Sequence, residues 1–312
     1  MNLDLLRAIY ITVQCNSISK AAKELHLTQP GLSMQIQNLE DEVGATLLIR
    51  SNKGVELTEE GRVVFEHAAT MLSLENNIKK SLKNIEKSKK TLSIVSCKSL
   101  GEYVLPCSIY TFKEIYTDVD VKLEVYNTST VIKKLLAHDT NIGIITGPSE
   151  LENISTTPIL ADKLVLVGGP DTEFDSITLD ELMSLPLILR EEDSTSRLLL
   201  NNLLYKHLID IDDLNILLSS NSPESIKSSV SFGRGFAFLP EIVVKRDLRR
   251  GDLKKISIKD FDSAFNYHLA YRKNYEFTSY EAVFKKFITS SKRCFCYWYT
   301  KGGNLITTFF YC

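Results

Sequence analysis

Apolar residues at Ile18, Ala21, Ala22 and Leu25 fall at the i, i+3, i+4, i+7 spacing of one helix face. After a break at His26-Leu27-Thr28, the residues Leu32, Ile36, Leu39 and Val43 repeat that spacing. Thr28 is placed to cap the second helix, and Pro30 suits its first turn. The pattern predicts two short helices joined by a tight turn, the second presenting Gln29, Ser33, Gln35 and Gln37 outward: a helix-turn-helix. Such amides and hydroxyls match the donor and acceptor pattern of a DNA major groove, although any small helical bundle shows the same periodicity. Residues 3–14 predict a supporting helix with Leu3, Leu6, Ile9, Tyr10 and Val13 on one face, followed by Cys15 as a buried small hydrophobe. Gly44 reads as a C-terminal cap, and residues 47–50 and 55–57 as two short strands of a wing hairpin. From that wing Arg50 and Lys53 would reach the sugar-phosphate backbone or minor groove.

Thr58 is placed to cap a long helix running from residue 59 to about 88. Its apolar positions Val63, Val64, Phe65, Ala68, Met71, Leu72, Leu74, Ile78, Leu82 and Ile85 keep a helical period. A helix of that length cannot bury its stripe within one small domain, which predicts pairing with a second copy. From residue 91 the pattern alternates. Strands are predicted at 92–96, 121–126 and 142–146, with helices at 104–116 and 130–136 between them. A second set follows, with strands at 160–167, 186–189, 215–219 and 235–240 and helices at 196–209 and 224–232. Residues 267–271 cross back and lead into a helix at 279–288. Alternation of this kind predicts a mainly parallel sheet.

Length and composition narrow the class. A chain of 312 residues exceeds one ordinary core, and 44% hydrophobic with 24% charged residues describes a soluble globular protein. The start has no basic segment leading into a long apolar run, and no apolar stretch is long enough to span a bilayer, so a cytoplasmic location is expected. Six cysteines without zinc-ligand pairs predict reduced thiols; Cys294 and Cys296, one residue apart, have no further ligand to complete a metal site. No metal or cofactor is expected. The net charge of −2 does not advertise a nucleic-acid binder, and residues 1–90 carry twelve Lys and Arg against eleven Asp and Glu. Phosphate contacts must therefore come from local placement of Arg7, Lys20, Lys23, Arg50, Lys53 and Arg62. No Gly-x-Ser-x-Gly, Walker loop or metal-ligand cluster appears, so an enzyme is not expected. A thiol redox sensor using Cys97 and Cys107 is the alternative regulator, and an uncharacterised enzyme a further one.

The runs Ser-Ile-Ser-Lys-Ala-Ala (17–22), Leu-Thr-Gln-Pro-Gly-Leu-Ser (27–33), Gln-Ile (35–36) and Leu-Glu (39–40), with Gly44, Leu47, Arg50, Leu57-Thr58 and Gly61, resemble the amino-terminal domain of LysR-type transcriptional regulators. The layout agrees with that family to about residue 290. The resemblance implies an α+β multidomain chain: a winged helix-turn-helix over 1–58, a linker and dimerisation helix with hinge over 59–90, and an effector-binding domain over 91–290. That domain would comprise two α/β subdomains resembling periplasmic binding proteins, 91–161 with 268–290 and 162–267. Residues 291–312, rich in aromatics and holding the single Trp, form an atypical tail. DNA contacts are carried over to Ser19, Lys20, Thr28, Gln29, Pro30, Ser33, Gln35, Gln37, Arg50 and Lys53. Leu48 replaces the family's usual Phe, and Met34 stands where the family often has a basic residue. The implied partners are double-stranded promoter DNA, a small-molecule effector and RNA polymerase, with assembly as a homodimer or homotetramer.

In open α/β sheets ligands bind beyond the carboxyl ends of the strands. The polar residues predicted there are Ser99, Thr128, Ser129, Thr130 and Thr146 from the first subdomain. Ser194, Thr195, Ser196, Arg197, Ser220 and Asn221 come from the second, and Lys98 and Asn127 of the first with Arg190 and Glu191 of the second stand at the same strand ends. Helix-start groups, Thr130 and Ser196 above all, suit a small anion, with Arg197 adding charge; each is equally explained as a helix cap. An anionic metabolite is the expected effector class. The segment Arg-Glu-Glu-Asp-Ser-Thr-Ser-Arg (190–197) is similar to one in members that regulate sulfur metabolism.

Overall fold

The computed structural model describes residues 2–51, 54–86, 90–290, 300–301 and 304–305. Lys53, the hinge residues 87–89 and most of the tail, with Cys294 and Cys296, lie outside the described residues. The chain divides into two units: residues 1–88 with 136–139, and residues 89–135 with 140–312.

In the first unit, the Asn2 side chain accepts the Leu5 N–H at 2.9 Å and opens α1 (Leu3–Cys15). Asn16, in the left-handed region at φ 45°, ends it. Ser17 caps α2 (Ile18–Glu24), and Thr28 caps α3 (Gln29–Val43) by accepting the Gly31 N–H at 3.2 Å. Gly44, at φ +75°, closes α3 where a side chain would be strained. The wing is β1 (Leu48–Ser51) paired antiparallel with β2 (Gly54–Leu57). It is seated by two side chains. Asn16 Oδ1 accepts the Val55 N–H at 2.8 Å, and Glu40 Oε1 accepts those of Leu47 and Leu48 at 2.7 and 3.2 Å. Leu6, Ile9, Ala21, Leu32, Ile36, Leu39, Leu47 and Leu48 form the core. Burying each large aliphatic side chain there contributes ~1.5–3 kcal/mol. Thr58 Oγ1 accepts the Gly61 N–H at 2.9 Å and starts α4 (Glu59–Glu86), 28 residues long.

One expectation changes in this unit. Cys15 is half-exposed rather than buried, because it follows the last core position of α1 and donates its thiol to Glu24 Oε2 at 3.1 Å. That hydrogen bond, with the neighbouring carboxylate charge, pushes the thiol up. On α4, Ala68 and Leu72 are buried within the chain, whereas Val63, Met71, Leu74, Ile78 and Leu82 stay exposed. At about 100° per residue those exposed positions fall on one narrow stripe.

The second unit runs β3 (Lys90–Cys97), α5 (Lys98–Tyr103), α6 (Leu105–Ile115), β4 (Val119–Tyr126), α7 (Thr128–Leu136), β5 (Ile142–Thr146) and β6 (Ile154–Gly168). It continues with β7 (Ser176–Ile177), α8 (Leu179–Ser184), β8 (Leu187–Arg190), α9 (Thr195–Lys206), β9 (Ile216–Ser220), α10 (Pro223–Ser231) and β10 (Ala237–Pro240). Then come α11 (Glu241–Arg250), β11 (Lys254–Ile258), β12 (Ala264–Arg272) and α12 (Ser279–Thr289). The helix predicted over 104–116 is α6, and a short helix that was not predicted, α5, precedes it. Pro106 lacks an N–H and its ring opposes a helix arriving from its N-terminal side, so α5 stops at Tyr103 and α6 restarts at Leu105. Thr300–Lys301 and Asn304–Leu305, in the tail, form a two-residue antiparallel pair.

The sheet is mixed rather than mainly parallel. β4, β3 and β5 are parallel neighbours, but β12 runs antiparallel to both β5 and β6. The order is β4-β3-β5-β12-β6-β11-β7, with β10 also on β6, while β8 and β9 form a separate parallel pair. β6 and β12 are long because each crosses from one half of the domain to the other. Their pairing slips at Tyr267/His268. In the first half, Leu92, Ile94, Phe112, Ile144, Phe284 and Phe287 make one core. In the second, the period-two strands divide their side chains between two cores: Leu164, Leu166 and Leu189 on one face, Val165, Val167 and Ile188 on the other.

Candidate nucleic-acid interface and effector cleft

Leu32, Ile36 and Leu39 turn one side of α3 into the core, so the opposite side must face outward. Met34 stands near the middle of that outer side, 62% exposed, flanked by exposed Pro30, Gln37 and Asn38. Gln29 is exposed at the helix start, where Ser19 Oγ donates to its Oε1 at 3.0 Å, tying the beginnings of α2 and α3 together. Ser19, Lys20, Thr28 and Arg50 are exposed, Ser33 is half-buried on the flank, and Gln35 is half-buried on the other flank, away from Gln29. Gln37 Nε2 donates to Asp41 Oδ1 at 2.9 Å. Arg7, proposed for phosphate, is instead paired with Asp4 at 3.0 Å and with Glu75. Asn38 was missed by the motif; its helical phase next to Met34 is the signal that finds it.

In the second unit, the carboxyl ends of β3, β4, β5 and β8 converge. Cys97, Lys98, Ser99, Asn127, Thr128, Thr146, Arg190, Ser194, Thr195 and Ser196 line a cavity of about 20 Å³. That volume accommodates about one water molecule. Of the residues expected there, Ser99, Thr128, Thr146, Ser194, Thr195 and Ser196 line it, whereas Ser129, Thr130, Arg197, Ser220 and Asn221 do not. α7 begins two residues earlier than its pattern predicts, so Asn127 Oδ1 caps the Thr130 N–H at 2.9 Å and Ser129 donates to the same oxygen at 3.2 Å. Arg197 is buried and turned back to Asn201 Oδ1 at 3.1 Å. Ser220 Oγ accepts the Ser222 N–H at 3.2 Å, and Asn221 presents its carbonyl to Lys98.

The cations at the cavity are Arg190, 5% exposed, and Lys98. Both bind Glu191, a pairing that the sequence placed at the same strand ends but did not specify. Across the same cleft Asn127 Nδ2 donates to Asp193 Oδ2 at 2.8 Å, and Tyr103 OH to Glu224 Oε1 at 2.6 Å. Cys97 is buried, and burial pushes its thiol up, the reverse of the depressed pKa that activates a sensor thiolate; Cys107 is half-buried on α6. Among the described residues no His, Cys, Asp and Glu group is arranged to hold a metal ion, and no helix is long and apolar enough to cross a membrane.

Residues 3–62 match the family described as bacterial regulatory helix-turn-helix protein, lysR family, and residues 86–292 match the LysR substrate binding domain. The chain belongs to the LysR family of transcriptional regulators. A probable RuBisCO transcriptional regulator of Cyanidioschyzon merolae is 31% identical to this LysR-family chain over 269 residues, which cover 82% of the chain and 89% of that relative. The crystal structure of CbnR, a LysR family transcriptional regulator, shares the fold with a TM-score of 0.66 at 20% identity, over 92% of this chain and 98% of CbnR. The regulatory domain of Synechocystis PCC6803 CcmR, in complex with 2-PG, aligns with a TM-score of 0.59 at 20% identity, over 64% of this chain and 96% of that one.

Proposed function

We propose that this LysR-family regulator binds promoter DNA in the cytoplasm as a homodimer paired along α4, and that a small anionic effector in the cleft of the second unit alters transcription. The reading is non-enzymatic. It is carried by the outward polar face of α3, opposite its buried side, together with the exposed Arg50 of the wing. Contacts between effector domains would extend the dimer to a homotetramer, and RNA polymerase would be the further partner. RuBisCO genes, the target in the relatives' names, are the first regulon to test, and the 2-PG bound by CcmR is the first effector. A labelled promoter fragment should be retarded by the full chain, with two half-sites about one helical turn apart or a multiple of it. Failure to retard any RuBisCO promoter fragment would remove that target.

Gln29→Ala should cost ~1–3 kcal/mol in discrimination between cognate and scrambled sites, the value of a bidentate base contact. An equal loss on both DNAs would show that Gln29 only positions the protein. Met34, apolar on an otherwise polar face, suits contact with a thymine methyl group in place of a phosphate.

The exposed stripe on α4 commits to a second copy of this chain as its cover. Ile78 is 62% exposed, so Ile78→Asp leaves the single chain's core intact yet places a charge in the seam. Sedimentation should show monomers; an unchanged mass would assign the seam elsewhere.

A further inference from the structure

Glu191 occupies the position of a ligand carboxylate. Arg190 donates to it twice, from Nε to Oε2 at 2.8 Å and from Nη2 to Oε1 at 2.9 Å, the paired geometry by which a guanidinium recognises a carboxylate. Lys98 reaches Oε1 at 3.4 Å from the other half of the domain while donating to the Asn221 carbonyl at 2.9 Å. Burial by itself would push the Glu191 carboxyl up; hydrogen bonds and charge from Arg190, then the charge of Lys98, outweigh it and hold the group below the usual range. Glu191 is therefore ionised at neutral pH.

The surroundings resemble a receptor for a larger anion than this side chain. Ser194, 3% exposed at the start of α9, makes no capping bond to the helix, in contrast to Thr28 on α3 and Ser222 on α10. The positive end of a 12-residue helix thus opens on the same cavity as Arg190 and Lys98. Glu191 is the carboxylate that both cations bind, while the neighbouring Asp193 is turned to Asn127. The cavity as it stands has no room for a metabolite, so a ligand must take over a place already held.

We propose that Glu191 is an internal surrogate for the effector's anionic group: the cleft takes a small carboxylate- or phosphate-bearing anion on Arg190 and Lys98, and that anion displaces Glu191 from them. The proposal rests on the reading of this cleft as the anionic-effector site. Because Lys98 and Glu191 belong to different halves of the domain, their contact closes the cleft without ligand. Its exchange for a ligand contact makes closure depend on the effector's shape rather than on the protein alone. A dianion satisfies both cations where Glu191 satisfies them with one charge, so phosphate-bearing ligands are preferred over monocarboxylates.

The test measures calorimetric binding of inorganic phosphate and of 2-PG to the full chain in three forms: wild type, Glu191→Gln and Lys98→Met. Lys98 is partly exposed, and circular dichroism of each variant reports its fold. Glu191→Gln should bind both anions at least tenfold more tightly than wild type, and Lys98→Met at least tenfold more weakly. If Glu191→Gln binds no more tightly while Lys98→Met is weakened, Glu191 does not compete and the proposal falls, with the anion site left standing. If no form binds either anion, the reading of the cleft as an anionic site falls, and the proposal with it.

Discussion

Gly61→Ala should remove about 3 kcal/mol or more from the DNA-binding unit, an effect at the upper end for one added methyl group. A Cβ at this position would lie 2.0 Å from the Leu47 carbonyl oxygen and 2.9 Å from its carbon, both backbone atoms that no rotamer change can move aside. The same oxygen accepts the Thr58 N–H at 3.1 Å, so the first turn of α4 and the base of the wing are joined where the clash would fall. Relief requires α4 to lift from β1, which breaks that bond and disturbs the Leu47 and Leu48 N–H bonds to Glu40. Calorimetry of the full chain should show the transition of this unit lowered, with promoter binding lost in parallel. Gly44→Ala is the control. Gly44 has φ +75° but nothing within 4 Å of its would-be Cβ, so only left-handed strain of ~1–2 kcal/mol is added. Equal losses in the two variants would show that the close approach at Gly61 relaxes at no cost.

Asp162→Asn should stabilise the effector domain at pH 8 and leave it nearly unchanged at pH 4. Asp162 lies on β6 where it crosses the domain beside β12, and Tyr267 OH donates to its Oδ2 at 3.3 Å. Burial pushes its carboxyl up to about 6; the backbone N–H groups of Lys163 and Ile242 oppose the shift, and the charge of Glu241 adds to it. A carboxyl whose folded pKa is raised favours the fold in its protonated form. The fold therefore carries no penalty below the unfolded value near 4, acquires one as pH rises through about 6, and keeps it above. The shift from 3.8 to about 6 corresponds to ~3 kcal/mol, or roughly 6–12 °C in the melting transition of a domain of this size. Asn removes the charge and retains an acceptor for the backbone. A loss of stability at both pH values would mean that the second carboxylate oxygen contributes more than ionisation costs.

What the sequence determined by itself is local. Thr28, Pro30 and Gly44 set the limits of α3 because caps act within one turn, and Leu32, Ile36 and Leu39 set its buried side because 3.6 residues make a turn. The wing, the start of α4 at Thr58 and the strands β3 and β5 were legible for the same reason. The residues that pack these elements are apolar at a regular period, and the polar face proposed to read DNA is what such a period leaves exposed. α5, α11 and β11 were not legible, since short amphipathic stretches such as 98–103 carry too few turns to show a period. The antiparallel course of β12 between β5 and β6 was hidden as well, because an apolar run reads alike in either direction. Only the tertiary structure decided which charges meet. Arg197 and Arg190 are equivalent as letters, but Arg197 turns to Asn201 on its own helix while Arg190 stays at the end of β8 with Glu191. Lys98 joins them from 93 residues away. Ion pairs have no sequence period, and their partners are set by where the strand ends of the two halves converge; that is why the pairing of the cleft's cations emerged from the fold and the helix proposed to read DNA from the chain.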